Sequence, residues 1–294
     1  MTNMKCISCN SEEYKIVYDG PIRAGSYGKL TSNNFKVVEC KKCSLTRLEQ
    51  FPEIHYENEE YRLDYNDTSD IHDYFNNHDH EQTPRINKIG IEKFRDKVVL
   101  DFGCGGGSFL DSIKGIAKKT IAVEPFVGYH DSLKSRGHEV YSNIKECAHL
   151  NSTVDIVISF GVIEHINEPL EYLISAFDVL KTNGKTYIET DNLDDILVKL
   201  NFKEFDPFYY RTVHSYYFNT KSLKELALKA GFNEVLVGYR HGFGISNTIK
   251  WLNERKPGGV SKLDFITPEL DFAWVKMLEN NGMAELLHFE LVKS

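Results

Sequence analysis

The chain has 294 residues, 41% of them hydrophobic, and a formal net charge of −8. That length and apolar content suffice for one substantial core with a small appended module and give no sign of disorder. Charges are spread along the chain without the basic block that phosphate-backbone binding needs, and no apolar stretch approaches a membrane span, so nucleic-acid partners and a membrane span are not expected.

The opening Met1-Thr-Asn-Met-Lys5 holds no apolar run of the signal-peptide kind, so a cytoplasmic protein is expected. In a reducing compartment, closely paired cysteines indicate metal and not disulfides. Cys6 and Cys9, with Cys40 and Cys43, form a C-x2-C…C-x2-C pattern. Each pair places two thiolates on one tight turn, and two such turns complete a tetrahedron around a structural zinc. The intervening residues predict short strands at Tyr14–Tyr18 and Asn34–Val38, which makes residues 1–50 a zinc-ribbon-like segment. A segment of that size has too little core to be stable alone, so metal binding is expected to supply much of its folding energy.

Residues 51–85 are rich in Tyr, Asn, Asp, Glu and His, with Tyr56, Tyr61 and Tyr65 spaced by five and four. They are expected to form a connector that covers the active site. The histidines His72, His78 and His80 fit no metal geometry and predict a solvated helix face.

From residue 86 to residue 294, short apolar runs alternate with helical stretches, the pattern of a doubly wound α/β sheet. Val98–Leu100 predicts the first buried strand and leads into Asp101-Phe-Gly-Cys-Gly-Gly-Gly107, after which Ser108–Ile113 opens a helix. A second strand, Thr120–Glu124, ends in a carboxylate twenty-one residues beyond Gly103, suited to a ribose diol. Further strands are expected at Glu139–Tyr141, Val154–Ser159, Lys185–Glu189, Val235–Val237 and Leu286–Val292, with a turn at Asn183–Gly184. Together they make a seven-stranded, Rossmann-like sheet whose last hairpin is antiparallel.

A glycine loop between strand and helix also suits a pyrophosphate, so a nicotinamide- or flavin-dependent oxidoreductase is the rival reading. Two residues count against it. Ser108 stands where the dinucleotide pattern has its third glycine, and Asp101, two positions before the first glycine, would repel a pyrophosphate. A ligand carrying an ammonium and a sulfonium suits that carboxylate better. Cys104 within the loop reads as a small residue fitting beneath a cofactor, not as a nucleophile.

Asp101–Gly107, Glu124-Pro125 and Asp155–His165 resemble the successive motifs of class I S-adenosylmethionine-dependent methyltransferases over about residues 86–200. The resemblance implies that Asp101, Gly103 and Gly105 hold the methionine part of the cofactor. It likewise implies ribose binding at Glu124 with Pro125, an adenine contact near Asn143, and Phe160 and Gly161 beside the methyl group. The cysteine pairs, His165 and Val213-His-Ser-Tyr-Tyr-Phe218 resemble a narrower group, bacterial sugar methyltransferases with a zinc-binding N-terminal segment. That resemblance implies a general base at His214, although Val213 replaces the group's Glu, which counts against carbon methylation.

Methyl transfer from a sulfonium needs positioning and one base, and a histidine with an unperturbed pKa of about 6.5 serves near neutrality. His214 and His165 are the candidates. Tyr210, Arg211 and Tyr217, with Tyr65 from the connector, are expected to line a polar acceptor site. Arg211, Arg240 and His241 are candidates for receiving the phosphate of a sugar nucleotide. The expected protein transfers a methyl group from S-adenosylmethionine to a small polar acceptor, a sugar or nucleotide-linked sugar, on oxygen or carbon. A catalytically inactive cofactor-binding module is a further alternative.

Overall fold

The computed structural model describes residues 5–64 and 68–294. Its strands, in chain order, are β1 (Tyr14–Gly20), β2 (Phe35–Cys40), β3 (Thr46–Leu48), β4 (Val98–Phe102), β5 (Lys119–Val123), β6 (Glu139–Tyr141), β7 (Val154–Phe160), β8 (Leu180–Asp191), β9 (Tyr216–Tyr217), β10 (Glu234–Arg240) and β11 (Leu286–Val292). They form a four-stranded sheet in the order β1-β2-β3-β9 and a seven-stranded sheet in the order β10-β11-β8-β7-β4-β5-β6. The expected seven-stranded α/β sheet is therefore present. Within it β4 pairs in parallel with β5 and β7, and β5 with β6. Such strands are covered on both faces, which is why Val99, Leu100, Ile121, Ile156 and Val157 read as nearly unbroken apolar runs and are buried.

The chain divides into two compact units. One comprises residues 53–188, 227–235 and 290–294, with a core of Phe94, Val99, Leu110, Ile113 and Tyr187 among others. Its glycine loop follows β4, where the strand order reverses. The chain proceeds outward from β4 through β5 to β6, then returns to place β7 on the other side of β4. Ligands of open α/β sheets bind at that switch point, outside the carboxyl ends of the strands.

The other unit comprises residues 1–52, 189–226 and 236–289. It holds the four-stranded antiparallel sheet and an aromatic core of Tyr209, Tyr210, Tyr217, Phe205 and Trp251 around Ile22 and Val37.

One sequence expectation fails locally. The turn at Asn183–Gly184 lies inside β8, where Asn183 adopts a left-handed φ of 62°. Asn183 N–H donates to Lys293 O at 2.6 Å and Lys293 N–H to Gly184 O at 3.0 Å, so pairing with the antiparallel β11 continues through the kink. Asn tolerates that conformation better than other side-chain-bearing residues, which makes it look like a turn residue in sequence.

Candidate active site

In the first unit, a cleft of about 350 Å³ opens beside the glycine loop, within the range of small-molecule sites. Gly103, Gly105, Glu124, Pro125, Phe160 and Gly161 all line it. The loop needs its glycines. Gly103, Gly105 and Gly107 have φ of 67°, 55° and 91°, and the Tyr74 ring occupies the space that a Cβ on Gly105 or Gly106 would fill. Gly103 N–H donates to Val123 O at 2.7 Å, tying the loop to the end of β5.

Glu124 is 4% exposed. Its Oε2 accepts Gly105 N–H at 2.9 Å, while its Oε1 accepts Phe126 N–H at 2.9 Å and the Arg62 Nη2 at 3.0 Å. Burial pushes the Glu124 carboxyl up, and Arg62 opposes the shift. Arg62 comes from the helix Glu59–Asp64, is itself buried, and lies over the rings of Phe126 and Tyr129 at 4.8 and 4.5 Å. Asp101, at the end of β4, is 4% exposed, and burial pushes its carboxyl up to about 8, against the pull of Arg85. Arg85 also lies over the Phe160 ring at 5.0 Å and pairs with Glu81 at 3.0 Å. His165 lines the cleft, with its Nδ1 3.3 Å from the Tyr56 hydroxyl.

In the second unit, His214 is 3% exposed and its Nδ1 lies 3.4 Å from Asp191 Oδ2, at the end of β8. Arg211 Nη2 approaches the same oxygen at 3.7 Å. The four cysteine sulfurs all lie within 4.8 Å of one another, with Cys6–Cys43 and Cys9–Cys40 each at 3.5 Å. Those separations are too long for disulfides, whose sulfurs sit about 2.05 Å apart. The two 3.5 Å separations are close to the edge, about 3.8 Å, of a tetrahedron whose centre lies about 2.3 Å from each sulfur, the zinc–thiolate distance.

A methyltransferase-domain family model matches residues 74–237, more than half of the chain. This chain belongs to the S-adenosylmethionine-dependent methyltransferase family. A relative from Mycolicibacterium smegmatis, named probable S-adenosylmethionine-dependent methyltransferase, is 26% identical over 184 residues, covering 61% of this chain and 68% of its own. A relative of the same description from Mycobacterium tuberculosis is 29% identical over 148 residues, covering 49% of this chain and 52% of its own. The methyltransferase thus spans about half to two thirds of the length of these curated relatives. A solved S-adenosylmethionine-dependent methyltransferase from Thermotoga maritima shares the fold, with a TM-score of 0.51 at 20% identity over 76% of this chain and 94% of that one. Family membership sets aside the dinucleotide reading.

Several residues of this methyltransferase sit differently from the sequence expectation. Asn143 caps the short helix Ile144–Leu150, accepting Lys145 N–H at 3.0 Å and donating to Glu146 at 2.8 Å, so its side chain is engaged locally. Tyr210 and Tyr217 are core residues, 6% and 1% exposed, and the Tyr217 hydroxyl accepts Arg211 N–H at 2.7 Å. That bond satisfies a buried hydroxyl without any acceptor. Arg240 is held in a bidentate pair with Glu189, both contacts at 2.7 Å, and burial pushes His241 down to about 4, so neither presents a free charge to a phosphate. Tyr65 lies outside the described residues. Burial pushes the Cys104 thiol well above its ordinary value, in keeping with a packing role.

The sequence reading missed Arg62, Tyr74, His78 and Arg85, which line the cleft from the connector. His78, expected on a solvated face, packs at a tilt against Tyr74 with ring centroids 4.3 Å apart. The tyrosine-rich composition of residues 51–85 was the one signal pointing to this segment, and it does not single out positions.

Proposed function

We propose that this protein transfers the methyl group of S-adenosylmethionine to a hydroxyl-bearing small acceptor, a sugar or the sugar of a nucleotide-linked sugar. The observation that carries the reading is the convergence of the glycine loop, the buried Glu124 and Phe160-Gly161 on one cleft of cofactor size. In this reading Asp101 faces the cofactor ammonium and Glu124 the ribose. S-adenosylmethionine supplies an electrophilic methyl whose sulfur leaves as a neutral thioether.

The chain supplies position and a base. As the new bond from the acceptor oxygen to the methyl carbon forms, the carbon–sulfur bond breaks and its electron pair stays on sulfur. The acceptor's proton passes to His214 Nε2, and Asp191 beside Nδ1 supports the imidazolium. His165, which lines the cofactor cleft, is the second candidate base. Pairing of Arg240 with Glu189 engages that guanidinium, so the reading assigns no phosphate contact to Arg240. Zinc is structural in this reading, held by Cys6, Cys9, Cys40 and Cys43. Residues 1–50 are the ribbon, 51–85 the active-site cover and 86–294 the catalytic domain. Among the described residues no helix is long and apolar enough to cross a membrane. A cytoplasmic location belongs to the proposal and rests on the paired cysteines of a reducing compartment.

Calorimetric titration with S-adenosylhomocysteine and then NADH tests the donor. Micromolar binding of the first alone is expected, and binding of NADH alone would refute the proposal. With an acceptor found by screening sugars and sugar nucleotides against labelled donor, His214→Asn should lower turnover by about 10² to 10⁴ with cofactor affinity nearly unchanged. Full turnover would transfer the role to His165.

A further inference from the structure

The four-cysteine segment and the segment carrying His214 belong to one unit, and backbone hydrogen bonds join them. The Cys40–Cys43 turn closes the β2–β3 hairpin: Ser44 N–H donates to Cys40 O and Cys40 N–H to Leu45 O, both at 2.9 Å. The geometry of this turn therefore fixes where β3 begins. β3 in turn pairs with the two-residue β9, Thr46 opposite Tyr217 and Arg47 opposite Tyr216, and Leu48 N–H donates to Ser215 O at 3.1 Å.

On the other side of His214, Arg23 N–H donates to Tyr210 O and Thr212 N–H to Arg23 O, both at 2.9 Å. Hydrogen bonds to the N-terminal segment thus fall on Thr212 and on Ser215, bracketing His214. The Arg47 guanidinium lies over Phe51 and Tyr216 at 4.1 and 5.4 Å, adding a side-chain clamp next to the same residues. A strand of two residues has no stability of its own and takes its position from its partner.

We propose that the four-cysteine segment is the positioning scaffold of the His214 segment, setting through β3 and Arg23 where the imidazole stands against Asp191. The metal's task is then exerted on the acceptor side of the reaction and not on cofactor binding. This rests on the reading of His214 as the base.

The test is amide hydrogen exchange on the metal-replete full chain, before and after removal of metal by a thiol-compatible chelator, with S-adenosylhomocysteine affinity measured on both. Protection of the Thr212 amide should fall by at least about tenfold, as local opening becomes easier. The ring resonances of His214 should shift, and the S-adenosylhomocysteine Kd should stay within about threefold. Unchanged Thr212 protection after verified metal loss would overturn the proposal.

Should metal removal unfold the chain and abolish S-adenosylhomocysteine binding, Arg47→Ala decides with all four cysteines retained. Full metal content, an unaltered Kd and faster exchange at Thr212 support the scaffold, and native exchange at Thr212 with unmoved His214 resonances overturns it. Failure of the untreated protein to bind S-adenosylhomocysteine would instead refute the proposed function, leaving the exchange result to judge the scaffold.

Discussion

Asp101 and Glu124 are two buried carboxylates in one unit; the Glu124 charge adds to the cost of ionising Asp101, and Glu124 is paired with the buried Arg62. With its carboxyl pushed up to about 8, Asp101 is mostly protonated at neutral pH before a ligand arrives. In the proposed reading a cofactor ammonium beside Asp101 favours the ionised form, so binding releases a proton. Affinity for S-adenosylhomocysteine should rise with pH, by up to about tenfold per unit, and level off above about pH 8. Titrations in buffers of different ionisation enthalpy will detect the released proton at pH 7. Asp101→Asn should flatten the profile, and a wild-type affinity indifferent to pH would refute this account of Asp101.

Arg62 raises a question of lone pairs. A carboxylate offers about four acceptor sites, and Arg62, Phe126 N–H and Gly105 N–H take three on Glu124. In the proposed reading, a ribose diol donating two hydrogen bonds to Glu124 competes with Arg62 for Oε1. Arg62→Gln should tighten S-adenosylhomocysteine binding, since truncating the competitor frees an acceptor site. Buried charge makes the opposite outcome informative: weakened binding would mean that Arg62 stays in place and contacts the cofactor itself.

Among the elements, those with local signatures were legible. The strand–loop–helix of residues 98–113, the acid closing β5 and the C-x2-C turns are each written within a few consecutive residues, so backbone conformation and chemistry are set together. Elements defined by distant partners were not. Arg62 meets Glu124 across 62 residues of sequence, and β9 exists because β3 pairs with it, which no periodicity in two tyrosines could announce. The buried ring hydroxyls misled for a related reason: Tyr217 finds its partner in the backbone of Arg211, which composition does not show.

The kink in β8 belongs to the same class and is directly testable. Asn183 sits at φ 62° within a paired strand, a conformation that is costly for β-branched residues. Asn183→Val should destabilise the fold by about 1 to 2 kcal/mol, while Asn183→Gly should be close to neutral. Urea unfolding of the two variants checks this, and equal midpoints would mean that the strand relaxes around the substitution.

For the molecule as a whole, the four-cysteine site and the cofactor cleft lie in different units, so they should respond to different ligands. The ribbon's share of core is small: Ile22, Val37, Val38, Leu45 and Leu48 are buried, but β1 shows an exposed Ile16 and only one buried residue. A sheet so thinly packed would draw much of its stability from the proposed metal. Chelation should lower the melting temperature by several degrees, as expected if about 2 kcal/mol is lost from a chain of this size. Zinc should restore it and calcium should not, because thiolates favour the softer ion and calcium takes oxygen ligands. S-adenosylhomocysteine at a hundred times its Kd should add about 2.7 kcal/mol to the unit that binds it whether or not zinc is present. A melting temperature unmoved by chelation, with four cysteines alkylated as freely as model thiols, would show that hydrogen bonding along β1-β2-β3-β9 suffices without metal.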